Sequence, residues 1–229
     1  MKIGVDYRRW AEACRALNAD EDRARTFRTQ RYAFTHALAE LLVKDLPPAG
    51  DDQVIYAVHL SGRHPRPVYL GTSSEGRRRL WDLPVGESHH LSNTYPPEIW
   101  ESVQVLHWKR VLTEHGHDLA GLQKAVGEQF NASPAEALKL IGMSIEFLFQ
   151  KAVRPELNIR TKLRQGGFKE VDFSESKSRQ AQIAHRRLDP AFNDLTQAWS
   201  NLGKEARDCD KTIHSGRFGS VIFPSRVFG

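Results

Sequence analysis

The sequence predicts a mixed α/β (α+β) fold in which a small antiparallel sheet is flanked by helices. Two short apolar runs, Val54–Leu60 and Pro67–Thr72, each carry a tyrosine. They are joined by the polar stretch Ser61-Gly62-Arg63-His64-Pro65-Arg66, and a connection holding Gly and Pro between two such runs reads as a hairpin loop. On both sides of the hairpin, apolar residues recur at helical spacing. Ser133-Pro134-Ala135-Glu136 spells a helix start, with Ser133 as N-cap, proline in the first turn and Glu136 at the capping-box position.

Residues 1–46 read as helical. Trp10, Ala13, Cys14 and Leu17 share one face, Asn18-Ala19-Asp20 interrupts it, and Phe27, Phe34, Leu38, Leu41 and Leu42 form a second stripe. Residues 1–50 are thus an N-terminal helical extension that braces the core. An alternative use is a grip on DNA backbone, or on a second subunit, through Arg23, Arg25, Arg28 and Arg31. After the second strand, Gly71 gives the backbone room to turn, and Ser73-Ser74-Glu75 opens a helix carrying Arg77, Arg78 and Arg79. Asp82–Pro97, rich in Pro, Gly, Ser, His and Asn, reads as a loop, and Trp100–Val111 as the third strand.

A helix over His117–Asn131 is inserted after that strand. The helix opened by Ser133 runs to about Ala152, with Leu138, Ile141, Ile145, Leu148 and Phe149 as its buried stripe. Glu146 sits at the edge of that stripe, where an acid can face a cleft while its neighbours anchor the helix. Residues 161–188 read as basic, flexible and mixed, and Ala191–Ala206 as a final helix. The divisions are therefore 1–50, a core over 51–160, and a basic extension over 161–229, all within one compact domain.

At 229 residues the chain can bury a proper core, and its net charge of +5 favours a polyanionic partner. The position of that charge says more than its size. Residues 61–81 hold five arginines against one acid, Glu75, beside the two tyrosines. Two distant cysteines, Cys14 and Cys209, argue against a disulfide framework and a structural zinc site. With no membrane-length apolar run and no signal-peptide core, a cytoplasmic protein with no membrane partner is the expectation.

Val54-Ile55-Tyr56 and Tyr69-Leu70-Gly71, Arg79 ten residues after Tyr69, and the downstream series Glu146, Pro155, Asn158 together resemble the GIY-YIG nuclease family. The resemblance implies a three-stranded antiparallel core. It also implies a phosphodiesterase that uses Mg²⁺, with Mn²⁺ able to substitute, held by Glu146. Tyr56 is then the general base, Tyr69 a second hydroxyl that orients water or phosphate, and Arg79 the clamp on the scissile phosphate. Two departures stand out. Val54 replaces the first glycine of the motif, and Leu83 stands where many members have a histidine, leaving His89 or His90 of the following loop as substitutes.

These roles agree with the chemistry. Phosphodiester hydrolysis needs an activated water and neutralisation of charge on a pentavalent phosphorus. Mg²⁺ commonly takes one or two protein carboxylates and completes its shell with water and phosphate, so one glutamate suffices. An arginine binds phosphate bidentately, which lysine cannot do. Asn158 reads either as a turn residue after Pro155, or as a group that bonds backbone or a tyrosine and shapes the site.

The size and the basic C-terminal third look like the type II restriction endonuclease branch, and His214-Ser215-Gly216-Arg217 is faintly similar to the tail of its CCGCGG-cutting members. DNA contacts are expected from Arg63, Arg66, Arg77 and Arg78. Groove readout falls to Arg160, Lys162, Arg164, Gln165, Arg179 and Gln180, whose plainer reading is a basic linker. The partner is double-stranded DNA, with a homodimer if the site is palindromic. A repair, mobile-element or RNA-directed nuclease is the alternative, as is a non-cleaving nucleic-acid-binding protein. Phe168 and Phe173 are the only aromatics within the basic stretch, which favours DNA over RNA.

Overall fold

The computed structural model describes residues 12, 15, 20–44, 46–60, 66–85, 91, 94–158, 160–162, 168–171, 173, 178–202 and 207–208. The expected first helical face (Trp10, Ala13, Cys14, Leu17) and the C-terminal His214–Arg217 lie outside them. The chain forms two compact units, one of residues 1–45, 77–102 and 207–229, the other of residues 46–76 and 103–206.

In the larger unit, β1 (Val54–Leu60) and β2 (Tyr69–Ser73) pair antiparallel, with Tyr56 opposite Gly71 and Val58 opposite Tyr69. Among the described residues the sheet runs in the order β2-β1-β3-β6, where β3 is Trp100–Leu106 and β6 the two-residue Arg207–Asp208. The fold is mixed α+β, in which helices flank the antiparallel strands β1, β2 and β3 and the two-residue β6 adds a fourth strand beside β3. Val54–Leu60 has the bounds its apolar run predicts, because Asp51-Asp52 precedes it and Ser61-Gly62 follows it.

The third strand is shorter than expected. It ends at Leu106, and Val111 belongs to helix α3 (Trp108–Glu114). Trp108, Val111 and Leu112 are all buried, an i, i+3, i+4 set that only a helix turns to one side. Helix α4 (Leu119–Phe130) is capped by the Asp118 carboxylate, which accepts from the Gly121 N–H, and is closed by Asn131 in the left-handed region. Helix α5 (Pro134–Val153) opens with the expected capping box. The Ser133 hydroxyl accepts from the Glu136 N–H, and the Glu136 carboxylate accepts from the Ser133 N–H at 2.8 Å. The Ser133 N–H and the Ser133 hydroxyl, both donating to the carboxylate, hold the Glu136 carboxyl below its ordinary range.

Ile141, Ile145, Leu148 and Phe149 of α5 pack against Ile55, Ala57 and Leu70 of the sheet. Between residues 160 and 188 the described residues form an antiparallel pair of β4 (Arg160–Lys162) and β5 (Phe168–Glu170), then helix α6 (Arg179–Ile183), which continues into a π-helical turn at Ala184–Leu188. Ile183, Ala184 and Leu188, with Ala191 and Leu195 of α7 (Asp189–Leu202), lie in the same apolar core as Ile145. Apolar burial of that kind, at about 25 cal/mol per Å², is what holds the segment in place. The final helix starts two residues earlier than expected, at Asp189 directly after the π turn, with Pro190 as its second residue.

The smaller unit is built on helix α1 (Glu21–Val43), whose Phe34, Leu38 and Leu42 are fully buried. Helix α2 (Gly76–Val85) enters this unit after its first residue and contributes Leu80 and Leu83, both fully buried. Asp82–Val85 is therefore helical and not part of a loop, and Pro97–Ile99 forms a 3₁₀ turn. Arg31 of α1 forms an ion pair with Glu98 of that turn. Among the described residues no helix is long and apolar enough to cross a membrane.

Candidate active site

Strand alternation decides which groups of the Tyr69-Leu70-Gly71 segment meet. Residues directly opposite across β1 and β2 share a face, so Tyr56, Val58, Tyr69 and Gly71 lie on one face of the sheet. Ile55, Ala57 and Leu70 point to the other, into the core shared with α5. The rings of Tyr56 and Tyr69 are diagonal neighbours, centroids 6.0 Å apart and planes 41° apart. Gly71 is what allows this. A Cβ there would stand 2.8 Å from the Tyr56 hydroxyl oxygen and 2.9 Å from Cε1 of Tyr69. The Tyr56 hydroxyl thus lies against bare backbone. Both tyrosines are buried, Tyr56 completely and Tyr69 to 7 % exposure.

The outer edge of β2 is closed by side chains. Asn158 accepts from the Leu70 N–H through Oδ1 at 2.8 Å and donates from Nδ2 to the Leu70 carbonyl at 2.8 Å. Beside it, the Leu157 N–H donates to the Val68 carbonyl at 2.9 Å. The amide of Asn158 therefore acts as one rung of a further strand and covers groups that a bare edge would leave unpaired. Of the roles open to Asn158, bonding to backbone is the one observed.

Glu146 reaches the same edge through Gln150. Gln150 Nε2 donates to Glu146 Oε1 at 2.7 Å and lies 3.4 Å from the Leu70 carbonyl oxygen. Glu146 is half-buried on α5, as an acid at the margin of an apolar stripe should be. Gln150 was not foreseen, although its place one helical turn after Glu146 is a signal for an i, i+4 hydrogen bond. A second unforeseen pair is His59 of β1 and Gln104 of β3, with His59 Nε2 3.2 Å from the carboxamide oxygen.

No family model matches this chain, nor does any curated protein or solved structure. The family resemblance rests on the motif residues alone.

Of the residues expected at the site, the larger unit brings Tyr56, Tyr69, Glu146 and Asn158 to the hairpin and its edge. Arg77, Arg78 and Arg79 lie on α2 in the smaller unit, the first two exposed and Arg79 half-buried. Arg66 is exposed just before β2. Arg179 and Gln180 open α6, where the Arg179 guanidinium carbon lies 5.7 Å from the ring centre of Phe130. Arg160 and Lys162 have described backbone in β4, but their side chains lie outside the description, as do all of Arg63, His89, His90, Arg164 and Gln165.

The donor set decides which metal these residues fit. Among the described residues no three His, Cys, Asp or Glu side chains gather into a metal-binding group. Glu146 is a single half-buried carboxylate with the Gln150 carboxamide beside it, and an oxygen donor of that kind is one that Mg²⁺ or Mn²⁺ would accept.

Proposed function

We propose that the chain is a Mg²⁺-dependent endonuclease of GIY-YIG type that hydrolyses phosphodiester bonds in double-stranded DNA at a specific sequence, as a type II restriction enzyme does. The observation that carries the reading is the convergence on one three-residue segment. Tyr69 and Gly71 flank Leu70, Tyr56 lies across Gly71, and Asn158 and the Gln150–Glu146 pair both reach the Leu70 backbone. Two tyrosines on one face of the hairpin, and a carboxylate that reaches the β2 edge through Gln150, are groups an oxygen-ligated hydrolytic site draws on.

In this reading Tyr56 takes the proton from the attacking water and Tyr69 orients that water. The water oxygen bonds to phosphorus, and the opposite P–O bond breaks. Glu146 would hold the metal, which would supply Lewis-acid stabilisation of the charge that builds on the phosphate. The resemblance alone, through the ten-residue spacing from Tyr69, assigns Arg79 to neutralising a non-bridging oxygen. Arg77 and Arg78 would meet neighbouring phosphates, and Arg179 would take part in groove readout. A palindromic target would be cut by a homodimer.

The test is plasmid digestion by wild type and Glu146→Ala, each in Mg²⁺ and in EDTA. Discrete fragments from wild type in Mg²⁺, lost in the variant and in EDTA, are expected. A smear removes sequence specificity from the reading. No cleavage of DNA or RNA overturns the enzyme and leaves a binding protein.

A further inference from the structure

Among the described residues, Tyr32 is the one large hydrophobic side chain left exposed, at 66 %. It stands on α1 at the head of an aromatic series contained in the smaller unit. Its ring centroid lies 4.1 Å from that of His36, one turn further on. His36 in turn meets Trp81 of α2 edge-on at 5.9 Å. His36 and Trp81 are half-buried, so they fix the inner side of the series while the outer face of Tyr32 remains open to solvent.

Cations surround it. Arg28, exposed, is one turn before Tyr32, and Arg25, also exposed, is seven residues before it on the same side. On α2, the exposed Arg77 and Arg78 precede Trp81 by four and three residues. Arg25 also has carboxylates at 3.9 Å (Glu21) and 4.0 Å (Asp22), but contacts this exposed hold a guanidinium weakly. Of the acids close in sequence to these residues, Glu40 and Asp82 are half-buried, and Glu75, two residues before Arg77, is exposed.

An exposed phenol tilted at 50° against an imidazole does little for folding. Its open π-face does suit a nucleobase, and arginines at one-turn spacing suit the phosphates on either side. A duplex keeps its bases inside the stack and offers such a ring nothing but backbone. An unpaired strand offers both base and phosphate. We propose that Tyr32, His36 and Trp81, with Arg25, Arg28, Arg77 and Arg78, form a binding face for single-stranded nucleic acid, with a base stacked on Tyr32.

This inference is independent of cleavage, because binding can be read in EDTA, where an Mg²⁺-dependent nuclease is silent. Fluorescence anisotropy of the full chain with a labelled oligo-dT of about 20 nucleotides, against a duplex of equal length, provides the test. Tyr32→Leu should weaken single-strand binding about fivefold or more and duplex binding less than about twofold, while Tyr32→Phe binds as wild type. Arg28→Gln should flatten the salt dependence of single-strand affinity by about 0.7 in log–log slope. Wild-type single-strand affinity in Tyr32→Leu, or equal losses on both substrates, overturns the stacking face. An unchanged slope in Arg28→Gln overturns it through the cation, even if the Tyr32 variants fail to fold.

Discussion

Asn158 holds Leu70 by two hydrogen bonds of 2.8 Å, one accepted and one donated, across 88 positions of sequence. It thereby fixes the middle residue of the Tyr69-Leu70-Gly71 segment from outside the sheet. Asn158→Ala removes both bonds and exposes the strand edge. A loss of about 2 kcal/mol in unfolding free energy follows, from roughly 1 kcal/mol per net hydrogen bond. The local readout is hydrogen exchange at the Leu70 amide, which should quicken in the variant. An unchanged Leu70 amide would mean that other groups hold the edge.

Gly71 makes a second demand on the same segment. A methyl group there would press on the hydroxyl end of Tyr56 and the ring of Tyr69, both buried side chains with little freedom to retreat. Gly71→Ala should cost about 1–3 kcal/mol as overpacking. Gly76→Ala is more severe, because its Cβ would stand 2.0 Å from the backbone oxygen of Asp52, which already accepts from the Gly76 N–H. Thermal unfolding of the two variants should rank them in that order, and the reverse order would contradict the packing described here.

Much of this segment is legible in the sequence, since it depends on local signals. Val54–Leu60 is bounded by polar residues, and Ser133-Pro134-Ala135-Glu136 can cap a helix in only one way. Where tertiary burial overrides local propensity, the sequence misleads. Pro84 argues for a break, yet α2 runs through to Val85 because Leu80 and Leu83 are drawn into the core of their unit. In residues 179–195 the π turn at Ala184–Leu188 shifts the phase of the apolar stripe, and a regular 3.6-residue period cannot find it beneath His185-Arg186-Arg187. At the site, Tyr56, Tyr69, Glu146 and Asn158 are visible as letters, but the linking role of Gln150 is a matter of side-chain reach.

The proposed chemistry separates the two tyrosines. Tyr56→Phe deletes the hydroxyl assigned to proton transfer and should lower the cleavage rate by about 10²-fold or more. Its fold should survive, because the ring is retained in its place over Gly71. Tyr69→Phe should cost less, since that hydroxyl only orients. Single-turnover cleavage in Mg²⁺ compares them, and a normal rate in Tyr56→Phe removes the general-base role.

The ion pair of Arg31 and Glu98 gives a pH-dependent prediction in the smaller unit. The Glu98 side chain is 1 % exposed and that of Arg31 38 %. Burial pushes the Glu98 carboxyl above its ordinary range, and Arg31 pulls it only part of the way back. A carboxyl whose value is raised on folding contributes stability that is present below its unfolded value and is lost as pH rises through its folded value. Wild type should therefore lose stability relative to Glu98→Gln as pH climbs from about 4, with no further change above the folded value. Arg31→Met leaves the buried carboxylate without its cation. Its cost near pH 8 should be about 2–3 kcal/mol, below the ~3–5 of a fully buried pair because Arg31 is partly solvated. Near pH 4 the carboxyl can take up a proton and the cost should shrink. Thermal unfolding of the three proteins across that range is the measurement, and an equal penalty for Arg31→Met at both ends would show that desolvation of Glu98 is not what the pair offsets.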